Sequence, residues 1–580
     1  MMEALPGITR AHFLKAMSRV PVPDPASPLL AAAAEHVVEL QSAVHGSFID
    51  GVPQGRFTLL NREVDFGSLE NVEWRRELGE KNNRLWRMNL AYMGYLVPLF
   101  RQDARKALRL AQSLLLSMKA QNAWSKHGVF RDVWHPYTVS HRVINLLACM
   151  HLLHRQGLQD EGAVLDNIRD EIRLGAAFLL SNTEQDLQYN HLFKNYVSLA
   201  LVAAAGKDVR FAANKLRDIK SSIHQQFLAD GGPAERAPMY HLLSTIDLRI
   251  LRDCGVLPAA AQDLVTETAI KAAKAAEVMV HPDGDVAMFN DSWSGEAPRA
   301  SEMIECMNLR PEHPLSVELP KTGYVRLSKG GDNVVMDFGA CGPDDNPGHA
   351  HADFLSLELS VDGRRTIVDP GVPTYSESEL RNQSRSAHWH NGPTIDGEEP
   401  IEFWSSFRVG RRGYAYKLPV GECDEHMLTF TAWHDGYAHV GVVAARSICL
   451  LPGRGLIIAD AWAGPDERPA TSSFLVSKNW VRTQGTEFGS IDPKNGQRLR
   501  FKTLSGDINS VESAPYWERF GVMENGTRIS FVPARDKAYR IAGVCIEWSD
   551  SPADWSGEWS QLNARLLNAL NHSRAISKII

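Results

Sequence analysis

A chain of 580 residues is too long for one hydrophobic core and predicts two or three domains. Its 44% hydrophobic content is that of an ordinary globular protein, and no stretch is long enough to span a membrane. A net charge of −7 argues against nucleic acid or a membrane surface as main partner, but not against a polyanion, which needs only a locally positive groove.

The first 22 residues carry Pro6, Arg10, His12, Lys15 and Arg19 through weakly apolar sequence. That is not the continuous apolar core of a signal peptide, so a cytoplasmic location is expected, with export by another route left open. Seven cysteines (Cys149, Cys254, Cys306, Cys341, Cys423, Cys449 and Cys545) are scattered singly. An odd number without framework spacing predicts reduced, buried thiols.

From residue 25 to about 310 the pattern is helical. Apolar residues recur at three- and four-residue steps over 31–40, 85–99, 105–118, 139–153, 163–180, 191–205 and 259–280, with Gly, Pro, Asn and Asp between. So many consecutive helices with short loops imply stacked antiparallel pairs, and no crisp repeat supports a regular solenoid. Within them, Tyr189-Asn190-His191 opens an apolar helix. Asn190 there is an N-cap by default, although a helix N-terminus also suits a carboxylate. A Gly231-Gly232-Pro233 turn leads into another helix with Tyr240 near its first turns. A lone Tyr at such a place is by default half-buried packing, and His241 a helix-surface residue.

A link near 308–322 holds Pro311, Pro314 and Pro320, and beyond Lys321 the texture changes. Stretches 324–327, 334–338, 427–433, 440–450 and 456–463 read as strands of packed antiparallel sheets. From Ser556, Trp559, Leu562, Leu566, Leu567 and Leu570 restore helical spacing, which predicts a helix packed on one of the domains. The expected plan is 1–310 helical, 311–321 linker, 322–550 β-sandwich with a metal site, and 551–580 a helical tail.

The chemistry concentrates between Gly348 and Gly397. Leu355, Leu357, Leu359 and Val361 alternate with Ser356, Glu358 and Ser360, the pattern of a half-buried strand. His349 and His351, just before it, would point the same way if extended. Asp369 follows a second short strand, and His390 closes the stretch. Imidazole and carboxylate ligands at one point favour zinc, with three protein ligands and an open position. His351, Asp369 and His390 are the candidate ligands. Their spacing matches no standard zinc motif, so ordinary turn and strand-end polar residues are an equal reading of the spacing. Arg385 is a candidate for a substrate carboxylate or sulfate, or equally a strand-end salt bridge.

Gly348-His349-Ala350-His351-Ala352-Asp353, Val368-Asp369-Pro370-Gly371 and His390-Asn391-x-x-Thr394-x-Asp396-Gly397 together resemble the signature of the heparinase II/III family of polysaccharide lyases. Leu85-Trp86-Arg87-Met88-Asn89-Leu90, Trp134-x-Pro136-Tyr137-x-x-Ser140-x-Arg142 and His434-Asp435-Gly436-Tyr437 are similar to further family segments, so the likeness runs over most of 57–465. It implies a multidomain α + β protein, with an N-terminal incomplete (α/α) toroid of paired helices followed by antiparallel β-sandwich sheets. It implies a catalytic His349, a zinc ion on His351, Asp369 and His390, and Asn190 with His191 neutralising a uronate carboxyl. Tyr240 takes the part of catalytic acid or base. The ion is expected to be structural, pinning the loops that bear His349.

The reaction so implied is β-elimination at a uronic acid, on an anionic glycosaminoglycan-, alginate- or exopolysaccharide-like chain. A uronosyl C-5 epimerase uses the same proton abstraction, and a non-catalytic glycan-binding protein is a further alternative. A zinc hydrolase is weaker, having only Asp353 or Glu358 as a base. A homo-oligomer is compatible with all of these. Two features depart from the family pattern: many relatives are exported, and Glu398-Glu399-Pro400 stands where they often have a polar amide.

Overall fold

The computed structural model describes residues 6–579 except 80–83, 159–161, 212, 307–308, 310–313, 420–424, 466–467, 493–495, 537–538, 550–552 and 574–575. Part of the expected linker, Pro311 included, and Cys423 lie outside the described residues. Contacts divide the chain into two units, and not by a single cut between residues 310 and 322. One unit is Met1–Phe227, Leu242–Lys271 and Glu296–Pro298; the other is Leu228–His241, Ala272–Gly295 and Arg299–Ile580. The reason is apolar: Ala275, Val278, Met279, Ala287 and Phe289 are buried with Leu319, Tyr324 and Val335 of the sheet region.

The first unit is helical. Helix Pro136–Arg155 is buried on nearly every face and packs against Leu96–Gln121, Gly162–Leu179 and Tyr189–Ala205. A helix buried on nearly every face belongs inside a bundle, and this one organises it. Its buried Arg142 is neutralised by Glu171, with Nε 3.0 Å from Oε1, and donates to the carbonyls of Ala91 and Val133. The stretch 85–99 is two helices, Arg84–Tyr92 and the start of Leu96–Gln121, not one. The break falls at Met93, whose φ is +58°, a left-handed conformation no helix continues through. Gly94 follows because a Cβ there would come within 2.3 Å of Gln41 Oε1.

The second unit is built on two nine-stranded antiparallel sheets. Leu327, Val334, Met336, Leu357 and Leu359 of one sheet share a core with Phe430, Ile448, Leu450, Leu456, Ile458, Val544 and Ile546 of the other. Strands Val443–Leu451 and Gly455–Ala463 are buried at every residue. Their second faces, with Ala445, Cys449, Ile457 and Ala459, are covered by Leu562, Leu566 and Leu570 of helix Ser556–His572.

Strand Leu357–Val361 is also buried on both faces, which corrects the half-buried reading. Its polar residues face the segment around His281, whose Nδ1 lies 2.7 Å from Ser360 Oγ and Nε2 2.5 Å from Glu358 Oε2. Glu358 Oε1 accepts the backbone N–H groups of Met288 and Asp369. A buried polar face is tolerable when each group has a partner, and here it does. Cys149, Cys254, Cys341, Cys449 and Cys545 are buried thiols outside any disulfide. Among the described residues no helix is long and apolar enough to cross a membrane.

Candidate active site

In the sheet unit, His349 and His351 converge on one carboxylate. His349 Nδ1 donates to Asp291 Oδ2 at 3.0 Å, and His351 Nε2 to Asp291 Oδ1 at 3.0 Å. They do so from a turn and an irregular segment, before the strand begins. Arg381 closes the cluster with Nη1 2.5 Å from Oδ1 and Nη2 2.8 Å from Oδ2. Burial would push the Asp291 carboxyl up, but the Arg381 guanidinium and the two imidazoles outweigh it and hold it well below the carboxylate range. Asn290 aims the turn: at φ +54° its backbone N–H donates to Asp353 Oδ2 and its Oδ1 accepts from the His351 N–H. Asn is among the few residues that adopt this conformation readily.

Tyr240 stands against the same histidine. Its ring centroid is 4.2 Å from that of His349, at an interplanar angle of 32°. Its hydroxyl lies 3.2 Å from the hydroxyl of Tyr375, which is half-buried and under the Arg381 guanidinium at 5.0 Å. Burial pushes the Tyr375 phenol well above its ordinary value, so it remains protonated. Trp293 and Phe407 complete the surround, with centroids 5.8 and 5.3 Å from Tyr375. His349 Nε2 lies 3.5 Å from Glu235 Oε1. Tyr240 is half-buried and packed on His349, while His241 is buried with Nε2 on the Ala272 carbonyl at 2.8 Å rather than on a helix surface.

His351, Asp369 and His390 are all buried. The rings of His351 and His390 are 5.3 Å apart, and His390 Nδ1 donates to Asp369 Oδ1. His351 Nδ1 and His390 Nε2 are buried without a hydrogen-bond partner. Two such nitrogens beside a carboxylate are donor types that zinc takes, and a metal would satisfy atoms otherwise left orphaned. Asp369 Oδ2 accepts from Ser356 Oγ at 2.7 Å, so both carboxylate oxygens are engaged. Accordingly, among the described residues no group of three or more His, Cys, Asp or Glu is set to hold a metal ion. The chemistry of the donor set fits zinc; the carboxylate would have to exchange partners.

Arg385 corrects the sequence reading. It is 0% exposed, donates from Nε to the Ala350 carbonyl and from Nη1 to that of Ser405, and lies over the Phe403 ring. Burial lowers it to about 9. It pins main chain and faces no solvent, so a part in contacting substrate does not follow. Arg381, four residues earlier, holds the carboxylate instead.

In the helical unit, the chain enters helix Tyr189–Ala205 through Gln188 and Tyr189, with φ of +57° and +43°. Two consecutive non-glycine residues in this region mark a strained entry, a common sign of a functional site. Gln188 occupies the N-cap position, so Asn190 lies inside the first turn and is not the cap. His191 Nδ1 donates to Glu184 Oε1 at 2.9 Å, and its ring lies 4.3 Å from Tyr137. Asn195 grips the same carboxylate from behind, donating to Oε2 at 3.0 Å and accepting the Glu184 N–H at 2.9 Å. Beside them His141 stacks on Tyr92 at 4.4 Å.

Asp291, Tyr375 and Arg381 were missed by sequence reasoning. Asn290-Asp291-Ser292 reads as a polar turn, and only the distance of its partners along the chain reveals the hub.

Residues 311–551 match a family described as heparinase II/III-like, C-terminal. No curated protein sequence matches the chain. Among solved structures, a heparinase III superposes with a TM-score of 0.70 at 16% identity, over 93% of this chain and 89% of that one. A heparinase III described as the BT4657 gene product gives 0.60 at 16% identity, over 88% and 84%. A mutant of the heparan sulfate lyase HepC from Pedobacter heparinus gives 0.59 at 15% identity, over 94% and 89%. The shared fold is a helical toroid followed by antiparallel sandwich sheets.

Proposed function

We propose, on the match of residues 311–551 to the heparinase II/III-like, C-terminal family, that the protein is a polysaccharide lyase cleaving uronic-acid-containing chains by β-elimination. The observation that carries the reading is Tyr240 packed on the His349 ring while Asp291 holds Nδ1 of that imidazole. A phenol and an oriented imidazole in contact are the two proton-handling groups the reaction requires.

Cleavage at O-4 removes the C-5 hydrogen, which is acidified only by the adjacent carboxyl. Tyr240 gives its hydroxyl proton to O-4 as the sugar leaves. It first takes the C-5 proton itself where both protons lie on one face; His349 takes it where they lie on opposite faces. An ordinary Tyr has a pKa of about 10, so forming its phenolate needs help. The half-buried, protonated Tyr375, hydroxyl to hydroxyl with Tyr240, would supply it by donating to the phenolate as it forms. The carboxyl needs hydrogen-bond donors that hold it most tightly as negative charge builds in the enolate-like state, the part the resemblance implies for Asn190 and His191. His351, Asp369 and His390 would hold zinc, whose contribution when bound is to brace the loops bearing His349. The substrate class is a glycosaminoglycan-, alginate- or exopolysaccharide-like polyanion.

The test is to incubate the purified protein with heparan sulfate, chondroitin sulfate, alginate and bacterial uronate exopolysaccharides, following ultraviolet absorbance of unsaturated ends. Absorbance that disappears in Tyr240→Phe is expected. Solvent deuterium entering C-5 without a new double bond would identify an epimerase instead, and binding with neither change a non-catalytic glycan-binding protein.

A further inference from the structure

Strands Phe403–Ser405 and Arg408–Val409 form a two-stranded hairpin, separate from both large sheets. So short a hairpin is marginal by itself and needs anchors. It has three. Val409, with Ile401 just before the hairpin, is buried with Ala350 and Ala352, the residues that follow His349 and His351. Arg385 Nη1 donates to the Ser405 carbonyl at 2.8 Å, and Arg381 Nη2 to that of Ser406 at 3.3 Å. Two buried guanidinium groups thus hold the main chain of one small hairpin.

What the hairpin presents is unusual for a surface. Trp404 is 68% exposed and Phe407 41%. Scattered exposed apolar residues need no explanation, but Phe407 adjoins the candidate site and Trp404 stands on the same hairpin. Phe407 packs on Tyr375, and Tyr375 meets Tyr240 hydroxyl to hydroxyl. Arg408, next to Phe407 in sequence, is exposed, and its guanidinium makes no hydrogen bond or ion pair among the described residues. Gly410 backs onto the indole: a Cβ there would come within 2.5 Å of Trp404 Nε1 and 2.3 Å of Glu402 Oε2. An exposed indole, an exposed phenyl and a cation without a partner suit a polymer with apolar sugar faces and anionic edges.

We propose that the hairpin of Trp404, Phe407 and Arg408 is a substrate subsite, continuous with Tyr375 and Tyr240, in which the aromatic rings stack on pyranose faces and Arg408 takes a carboxylate or sulfate. This rests on the polysaccharide reading above and extends it to a second sugar beyond the reacting one. Arg385 and Arg381 are positioning residues for it, acting through the carbonyls of Ser405 and Ser406.

The experiment uses the full chain carrying Tyr240→Phe, so that polymer stays intact, with heparan sulfate, chondroitin sulfate and alginate as probes and tryptophan fluorescence as readout. One polymer is expected to shift the emission, and Trp404→Ala to weaken its binding by about fivefold or more, the size expected of one aromatic contact. Arg408→Ala is expected to weaken binding and flatten its salt dependence. Unchanged affinity in Trp404→Ala overturns the subsite, as does a Trp404→Ala change in oligomeric state alone. The two readings fail separately. Polymer bound but never cut by the wild-type chain removes the lyase and keeps the subsite, whereas polymer cut equally well by the otherwise wild-type Trp404→Ala chain does the reverse.

Discussion

Asp291 and Arg381 meet as a two-pronged ion pair with neither side chain exposed. Each carboxylate oxygen also accepts from an imidazole, so four donor atoms from three side chains converge on one buried anion. Breaking such a pair from one side leaves a charge with nothing to offset it. Arg381→Ala is expected to destabilise the protein by about 3–5 kcal/mol in chemical denaturation. A loss under about 1 kcal/mol, the value of an exposed pair, would contradict the arrangement.

Tyr240 and Tyr375 differ in what their hydroxyls do. Tyr240→Phe is expected to lower kcat by about 10²- to 10⁴-fold, the scale of a lost proton-transfer group. Tyr375→Phe removes only the hydrogen bond that eases the Tyr240 proton away, so kcat falls by roughly tenfold with KM little changed. Steady-state kinetics on a polymer that the wild-type chain cleaves decides this. Equal losses in the two variants would mean that Tyr375 is itself a proton carrier.

Much of this was legible because it is written contiguously. His349, His351, Asp369 and His390 lie within one stretch, and the strands around Val443–Leu451 announce themselves as apolar runs. Asp291 was not, since its partners His349 and Arg381 lie 58 and 90 residues further on. Strand Leu357–Val361 misled because alternation reports polarity, not exposure, and the polar face is covered by a segment some 70 residues earlier that carries His281 and Met288. Arg385 and Arg381 share a residue type and a short helix, Glu379–Arg385, so composition could not say which one meets a carboxylate.

The helical unit should show an acid-sensitive element at Glu184. Burial raises this carboxyl, but the facing His191, with His135 and the Asn195 amide, outweighs burial and brings it below its ordinary 4.5. A carboxyl depressed in the folded state contributes stability that is present above about 4.5 and is lost as pH falls through the folded value. Glu184→Gln removes that contribution. Its melting temperature should lie below wild type at neutral pH and converge with it on acidification. Parallel curves across the range would count against the pairing.

Metal content should report on the loops beside the histidines. Wild-type protein purified without chelator is expected to carry zinc, and His351→Ala or His390→Ala to carry little and to melt at lower temperature. Stripping the wild type with a chelator should lower its melting temperature toward that of His390→Ala and leave the variant unmoved. A wild-type protein without metal, melting as before after chelation, removes zinc from the account.

The way the chain passes between its two units limits how this protein can be remade. Leu228–His241 and Ala272–Gly295, which carry Tyr240 and Asp291, belong with the sheets although helices of the other unit flank them in sequence. A gene cut near residue 310 would therefore leave the phenol and the carboxylate hub on the wrong fragment. Exchanging either half for that of another protein would part the phenol and the carboxylate from the histidines they touch.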